Sequence, residues 1–103
     1  MILGELIKTL EAADPNLWVR EGFCNPHSYR GDYMELAFEP AQNVRVGDML
    51  GDAREALGAT YQGWKGGDYT MDEYSDCWLA NEGEGGGETL GPTLLRLMLE
   101  RRV

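Results

Sequence analysis

The segment DPNLWVREGF, residues 14–23, decides the fold class. Its proline disfavours helical backbone at Asp14 and therefore ends any helix that comes before it. From Leu17 onward, polar and apolar residues alternate, and Leu17, Val19 and Phe23 share one side, as in a half-buried strand. Because this strand would directly follow a helix, the segment predicts a domain that mixes helices and strands.

The flanking residues extend this pattern in both directions. Residues 1–12 predict an amphipathic helix, with apolar side chains at helical spacing. A turn is expected at residues 25–28, followed by a strand over residues 33–39 that Pro40 ends because proline cannot donate to a ladder. A second helix is expected over residues 46–57, with Gly58 as its left-handed cap. Its predicted apolar stripe is Met49, Leu50, Ala53 and Leu57.

The C-terminal half predicts less regular elements. Residues 59–71 read as a loop or irregular hairpin, residues 76–81 as a third strand, and residues 89–90 as a short fourth strand. Residues 82–88 read as a mobile Gly/Glu-rich loop. Pro92 suits the first turn of a last helix. The order predicts a single α+β domain over residues 1–103, a small, largely antiparallel sheet of three to four strands covered by about three helices.

The charge balance excludes some partners. The chain has 18 acidic and 9 basic residues, a formal net charge of -9. Such a surface repels nucleic-acid backbones and anionic membranes, so neither is an expected partner. The charge serves solubility, or it offers a basic partner a surface that resembles nucleic acid. The carboxylates between residues 72 and 88 read as a solvated acidic face.

The cysteine and histidine counts argue against catalysis and metal binding. Cys24, Cys77 and His27 are the only residues of their types, too few for a structural zinc site. Two free thiols are favoured over one disulfide, since nothing indicates an oxidising compartment. A catalytic Cys24–His27 pair lacks an identifiable orienting residue. We therefore expect no enzymatic activity, no metal and no cofactor.

Two glycine-aromatic motifs are the candidate binding residues: SYRGDY at residues 28–33 and YQGWKGGDYTM at residues 61–71. Each places one cation among rings and glycines, and guanidinium or ammonium groups bind phosphate or carboxylate. Glycine allows backbone N–H groups to approach an anion. The alternative is that these segments form tight turns whose rings cap the core, with Arg30 paired to Asp32 or Glu35. The predicted ligand-binding residues are Tyr29, Arg30, Tyr33, Trp64, Lys65, Gly66, Gly67 and Tyr69.

These motifs, together with the Val46-Gly47-Asp48-Met49-Leu50 and Trp78-Leu79-Ala80-Asn81 segments, resemble a family of small uncharacterised bacteriophage and prophage proteins. The resemblance covers about residues 28–83. The chain departs from the family at Asp32, Trp64 and Glu82, where the family has tyrosine. The resemblance implies a phage accessory protein, and such proteins often counter host defence.

From the resemblance and the motifs we expect a non-enzymatic protein that binds a small anionic, nucleotide-like ligand and sequesters a nucleotide immune signal. The alternative is an acidic inhibitor that docks on a basic host protein.

Location and assembly follow from the two ends of the chain. The first residues, MILGE, lack the basic region of a secretory signal, so we expect a cytoplasmic protein, in the host cell if a phage encodes it.

In the last helix, leucines and methionine surround nearly the whole circumference, and one small core covers only one face. A homodimer would bury the remainder. The alternative is that the first helix or residues 82–88 cover it.

Overall fold

Helices and strands follow one another along the chain in the predicted order. The computed structural model describes residues 1–29, 35–62, 66–80 and 87–103. These residues form α1 Leu3–Glu11, β1 Trp18–Ser28, β2 Glu35–Arg45, α2 Val46–Ala56, β3 Thr60–Gln62, β4 Asp68–Thr70, β5 Asp76–Ala80, β6 Gly87–Thr89 and α3 Pro92–Glu100. The α+β class is confirmed.

The main sheet has four strands in the order β1-β2-β5-β6 within the described part of the chain. The β1–β2 and β5–β6 pairs are antiparallel, whereas β2 and β5 are parallel. The predicted hairpin within residues 59–71 is present as a separate antiparallel pair of β3 and β4. The sheet is therefore largely antiparallel, with one parallel pair at its centre.

The turn predicted at residues 25–28 is wrong, because β1 continues through it. Cys24 pairs with Glu39 and His27 with Ala37, so β1 carries one extra residue between these pairs. Asn25 has a φ of 46° within this bulge. A bulge accommodates residues that a regular ladder excludes, which is why the Asn-Pro cluster bends the strand without ending it.

The strand end predicted at Pro40 is also wrong. β2 runs on to Arg45, and Pro40 lies opposite Phe23 of β1. The pairing of β2 with β5 ends at Phe38 and Leu79, so the described strands flank Pro40 on one side only. A proline is tolerated where one side of its strand needs no N–H donor.

Smaller corrections concern element ends. Helix α2 ends at Ala56, which is buried, while Leu57 leaves the helix in extended conformation and is 46% exposed. Leu57 therefore does not belong to the apolar stripe. Gly58 has the predicted left-handed φ, +84°. The fourth strand is Gly87–Thr89, and Leu90 beyond it is buried. Of the loop expected at residues 82–88, residues 82–86 lie outside the described ranges.

The core lies between the sheet and the helices. The rings of Phe23 and Phe38, from β1 and β2, have centroids 4.4 Å apart and are fully buried. Helix α3 contributes Leu95 and Met98 to this core. Leu97 on the same helix is 40% exposed, and Leu94 and Leu99 are partly buried. Of these five apolar side chains, Leu97 alone is exposed, so the exposed apolar surface of α3 is smaller than its all-round pattern predicts.

The C-terminal residues run along the outer edge of β1. The Arg20 amide donates to the carbonyl of Arg101 at 2.8 Å, and the Val103 amide donates to the carbonyl of Trp18 at 3.1 Å. A bridge pairs Val19 with Arg102. These bonds fix the end of α3 against the first residues of β1.

Candidate functional site

The first glycine-aromatic motif is described only at its start. Tyr29 follows β1 and is 8% exposed. Its ring stacks on the indole of Trp78 from β5, with centroids 4.6 Å apart and planes 14° apart. One face of Tyr29 is therefore covered by the protein itself. The candidate residues Arg30, Tyr33, Trp64 and Lys65 lie outside the described residues.

This stack contains a buried hydrogen-bond donor, which belongs to Trp78. The indole Nε1 of Trp78 is inaccessible to solvent and has no hydrogen-bond partner among the described residues. Buried polar groups in folded proteins nearly always have a partner, so an exception calls for an explanation, such as a water or a ligand. In the sequence, Trp78 belongs to the predicted third strand and to the segment that carries the resemblance, and a buried donor without an acceptor leaves no signal there.

The second motif forms the β3–β4 hairpin. Tyr69 lies opposite Tyr61, and both are half-buried. Gly66 has a φ of +86°, and a Cβ built there would meet nothing within 4 Å. At Gly67 a Cβ would lie 3.3 Å from the Tyr69 hydroxyl. The glycines thus serve a left-handed turn and the packing of one ring.

Carboxylates surround the second motif. Burial raises the pKa of Tyr61, and the charges of Glu55 and Asp52 raise it further. Burial also raises the pKa of Asp52. The charges of the neighbouring Glu55 and Asp48 raise this pKa further, while a hydrogen bond with the Asn25 backbone lowers it. The charge contributions to both shifts come from carboxylates on this side of α2, and these charges disfavour an anion beside Tyr61.

Cys24 and His27 do not form a thiolate–imidazole pair. His27 Nε2 lies 2.8 Å from Glu39 Oε1, and Nδ1 lies 3.0 Å from the carbonyl oxygen of Ser28. Burial raises the pKa of the Cys24 thiol, and the charges of Asp52 and Glu39 raise it further. A reactive cysteine needs a lowered pKa. No group of three or more His, Cys, Asp or Glu side chains in the described ranges is arranged to hold a metal ion.

One cavity is an open groove of about 560 Å³ between α3 and the sheet, here called the α3 groove. Its floor is mostly apolar, and Glu21, Glu88 and Arg101 are its charged residues. The only sequence signal for it is the all-round apolar pattern of α3. It is lined by Glu21, Gly22, Pro40, Ala41, Gln42, Leu79, Ala80, Glu88, Leu94, Leu97, Met98 and Arg101.

A second open cavity, of about 500 Å³, lies where the C-terminal residues meet β1. We call it the arginine cleft, defined by Arg20, Glu21, Glu100, Arg101 and Arg102. Sequence reasoning missed this cavity because Arg20 and Arg102 are 82 positions apart and only the tertiary fold brings them together.

Comparisons with known proteins identify no relative of this chain. No protein-family model, no curated protein and no solved structure matches the chain. Within the described residues, no helix is long and apolar enough to cross a membrane.

Proposed function

We propose that this protein is a non-enzymatic binding protein that docks on a basic partner protein through the α3 groove. The observation that carries the proposal is the composition of this groove, in which an apolar floor meets Glu88 and the Glu21–Arg101 ion pair at the rim. The partner surface would supply an apolar side chain for the floor and lysine or arginine for the rim.

The floor offers apolar area that the chain leaves uncovered. Leu97 is 40% exposed on α3, and Leu94, Leu79 and Met98 line the groove beside it. Leu79 and Met98 are themselves buried, so the apolar surface that the groove offers comes from Leu97 and the partly buried Leu94. An apolar side chain of a partner that fills the groove would remove this surface from water.

The charges select a basic partner. Glu88 at the rim is exposed and has no ion-pair partner among the described residues. The whole chain carries a net charge of -9. Opposite charges on a partner would raise the association rate and favour the correct orientation. Because salt screens such attraction, binding should weaken as ionic strength rises.

A second copy of the chain is the competing occupant, as the predicted homodimer would require. Two copies that each carry -9 repel one another, which disfavours self-association at low salt. Light scattering at micromolar concentration and 50 mM salt should therefore give 11.5 kDa. Twice that mass, lost in Leu97→Asp, would assign the groove to the dimer and contradict the basic partner.

The direct test is an NMR titration with a synthetic peptide of alternating leucine and lysine. We expect shift changes at α3, at residues 40–42 and at residues 79–80. Leu97→Asp should weaken binding at least tenfold, whereas Leu57→Asp, at a leucine of similar exposure outside the groove, should not. Equal binding of a leucine–glutamate peptide, or equal effects of the two variants, would refute the proposal.

A second candidate function is binding of a small anionic, nucleotide-like ligand at the glycine-aromatic motifs, with sequestration of a nucleotide immune signal as the outcome. The buried Nε1 of Trp78, beside Tyr29, favours it because an oxygen of a ligand would supply the missing acceptor. In this proposal Arg30 and Lys65 hold the anion.

Calorimetry against cyclic and ADP-ribose-type nucleotides tests this candidate. Arg30→Ala and Lys65→Ala should weaken binding, and Trp78→Phe should weaken it while preserving a ring beside Tyr29. If no nucleotide binds, or if all three variants bind as the parent does, the anionic ligand is excluded from this site.

A further inference from the structure

We infer that the arginine cleft is a binding site for a compact phosphate-bearing ligand whose planar ring packs on Trp18, as in a nucleoside diphosphate. This inference does not depend on the α3 groove or on the glycine-aromatic motifs. It rests on residues 18–20, 45 and 100–103, all of which the structure describes.

The backbone brings the three arginines together. The C-terminal residues pair with the start of β1 through the Arg20–Arg101 and Val103–Trp18 amide bonds. The Arg20 Nε–H also donates to the carbonyl oxygen of Arg102 at 3.1 Å. Since paired strands lie only about 4.8 Å apart, these residues meet along one short segment at the edge of β1, and Arg20, Arg101 and Arg102 all line the cleft.

The charges within the cleft are incompletely paired. Arg101 Nη1 lies 3.6 Å from Glu21 Oε2, and both side chains are more than 60% exposed. Glu100 also lines the cleft. Arg20 and Arg102 form no ion pair with any described carboxylate. Three arginines and two glutamates line the cleft, so its lining side chains sum to +1 in a chain whose net charge is -9.

Arginine suits phosphate because its planar guanidinium donates two parallel hydrogen bonds to two oxygens. Arg20 and Arg102, which have no ion-pair partner among the described residues, are therefore the groups that would donate to a phosphate in the cleft. The cleft volume of about 500 Å³ is large enough for a diphosphate.

Trp18 supplies an exposed ring two positions before Arg20 on β1. It is 50% exposed, the most exposed tryptophan among the described residues. Trp18 and Arg20 are two positions apart on β1, and Arg45 lies opposite Trp18 on β2, so all three share one face of the ladder. Arg45 pairs with Asp48 at 3.2 Å. An exposed indole beside guanidinium groups provides a stacking surface for a base.

The overall charge favours a compact ligand over a nucleic-acid strand. A strand would extend beyond the cleft over acidic surface, whereas a diphosphate stays within a Debye length, about 10 Å at 0.1 M salt, of the arginines. We therefore commit to the small ligand, and a single-stranded oligonucleotide serves as the contrasting probe.

The test is a titration of the full chain with ADP, pyrophosphate and a 12-mer of oligo-dT, monitored by calorimetry and by NMR of the Trp18 indole. We expect ADP and pyrophosphate to bind. Arg20→Ala and Arg102→Ala should each weaken both ligands at least fivefold, whereas Arg96→Ala, at an α3 arginine outside the cleft, should not. Trp18→Ala should weaken ADP more than pyrophosphate.

Three outcomes would overturn the inference: no binding of either phosphate compound, equal loss in Arg96→Ala, or tighter binding of the oligonucleotide than of ADP. Because Arg20 also joins the C-terminal residues to β1, Arg20→Lys provides a folded comparison that keeps the charge. Its affinity should lie between those of the parent and Arg20→Ala.

Discussion

Arg101 Nη1 lies 3.6 Å from Glu21 Oε2, and both residues line the α3 groove as well as the arginine cleft. The pair therefore sits between two surfaces that we assign to partners of opposite charge. An exposed ion pair of this kind contributes only about 0.2–1 kcal/mol to stability. Its carboxylate can thus be neutralised without unfolding the chain, and the two binding activities should respond in opposite directions.

Glu21→Gln should strengthen pyrophosphate binding two- to tenfold and weaken binding of the leucine–lysine peptide. The substitution removes a negative charge from both surfaces and releases Arg101 from its partner. Calorimetry with each ligand at 50 mM salt measures the effect, with Glu5→Gln on exposed α1 surface as the control. A change of the same sign for both ligands would contradict the assignment of the two surfaces.

Two glycines should respond oppositely to alanine. A Cβ at Gly22 would lie 2.4 Å from Val44 Cγ1 and 2.6 Å from Met49 Sδ, so Gly22→Ala should destabilise by about 1–3 kcal/mol. A Cβ at Gly51 in α2 meets nothing within 4 Å. Gly51→Ala should therefore stabilise by up to about 1 kcal/mol through its better helix propensity. Urea unfolding of both variants tests the pair, and equal shifts would refute it.

The fold was predictable where local chemistry decides it. The spacing of apolar residues, together with the positions of proline and glycine, predicted all three helices of the described residues, the first part of β1 and the left-handed Gly58. The failures at residues 25–28 and at Pro40 share one cause. Whether a proline ends a strand depends on which of its sides is paired, and that is a property of the assembled sheet.

The candidate sites were less predictable. The exposed face of α3 could be read from its leucines, but the groove also needs Pro40, Ala41 and Glu88 from distant strands. The arginine cleft joins β1 to the C-terminus and has no local pattern. Sequence patterns describe residues that are close along the chain, whereas both cavities are lined by residues that are far apart in sequence and close only in the folded structure.

Asp52→Asn should make Cys24 more reactive toward thiol reagents. Burial is the main cause of the raised pKa of the Cys24 thiol, and the charge of Asp52 makes the largest electrostatic contribution to the rise. Removing that charge should lower the pKa and increase the thiolate fraction at pH 8. The rate of labelling with a disulfide reagent measures this, and Glu5→Gln should leave the rate unchanged. A slower reaction in Asp52→Asn would contradict the electrostatic origin of the shift.

Cys77 should make the fold sensitive to alkali. Its side chain is fully buried, and burial raises its pKa from 9.0 to about 12. Below pH 9 both the folded and the unfolded chain hold the proton, so this group adds no pH dependence. Between pH 9 and 12 the unfolded chain loses the proton while the folded chain keeps it. Stability should therefore fall as pH rises, by up to about 1.4 kcal/mol per pH unit from this thiol alone.

Urea unfolding from pH 8 to pH 11 tests this prediction in three chains. Cys77→Ala should lower stability at pH 8, because it leaves a small cavity, but should flatten the alkaline decline. Cys24→Ala should keep most of the alkaline decline in stability. Cys24 is only partly buried, and its raised pKa contributes to the decline in the same direction as that of Cys77. If the decline in Cys77→Ala is as steep as in the parent, the titrating group lies elsewhere, and Tyr61, whose pKa is also raised, becomes the group to substitute next.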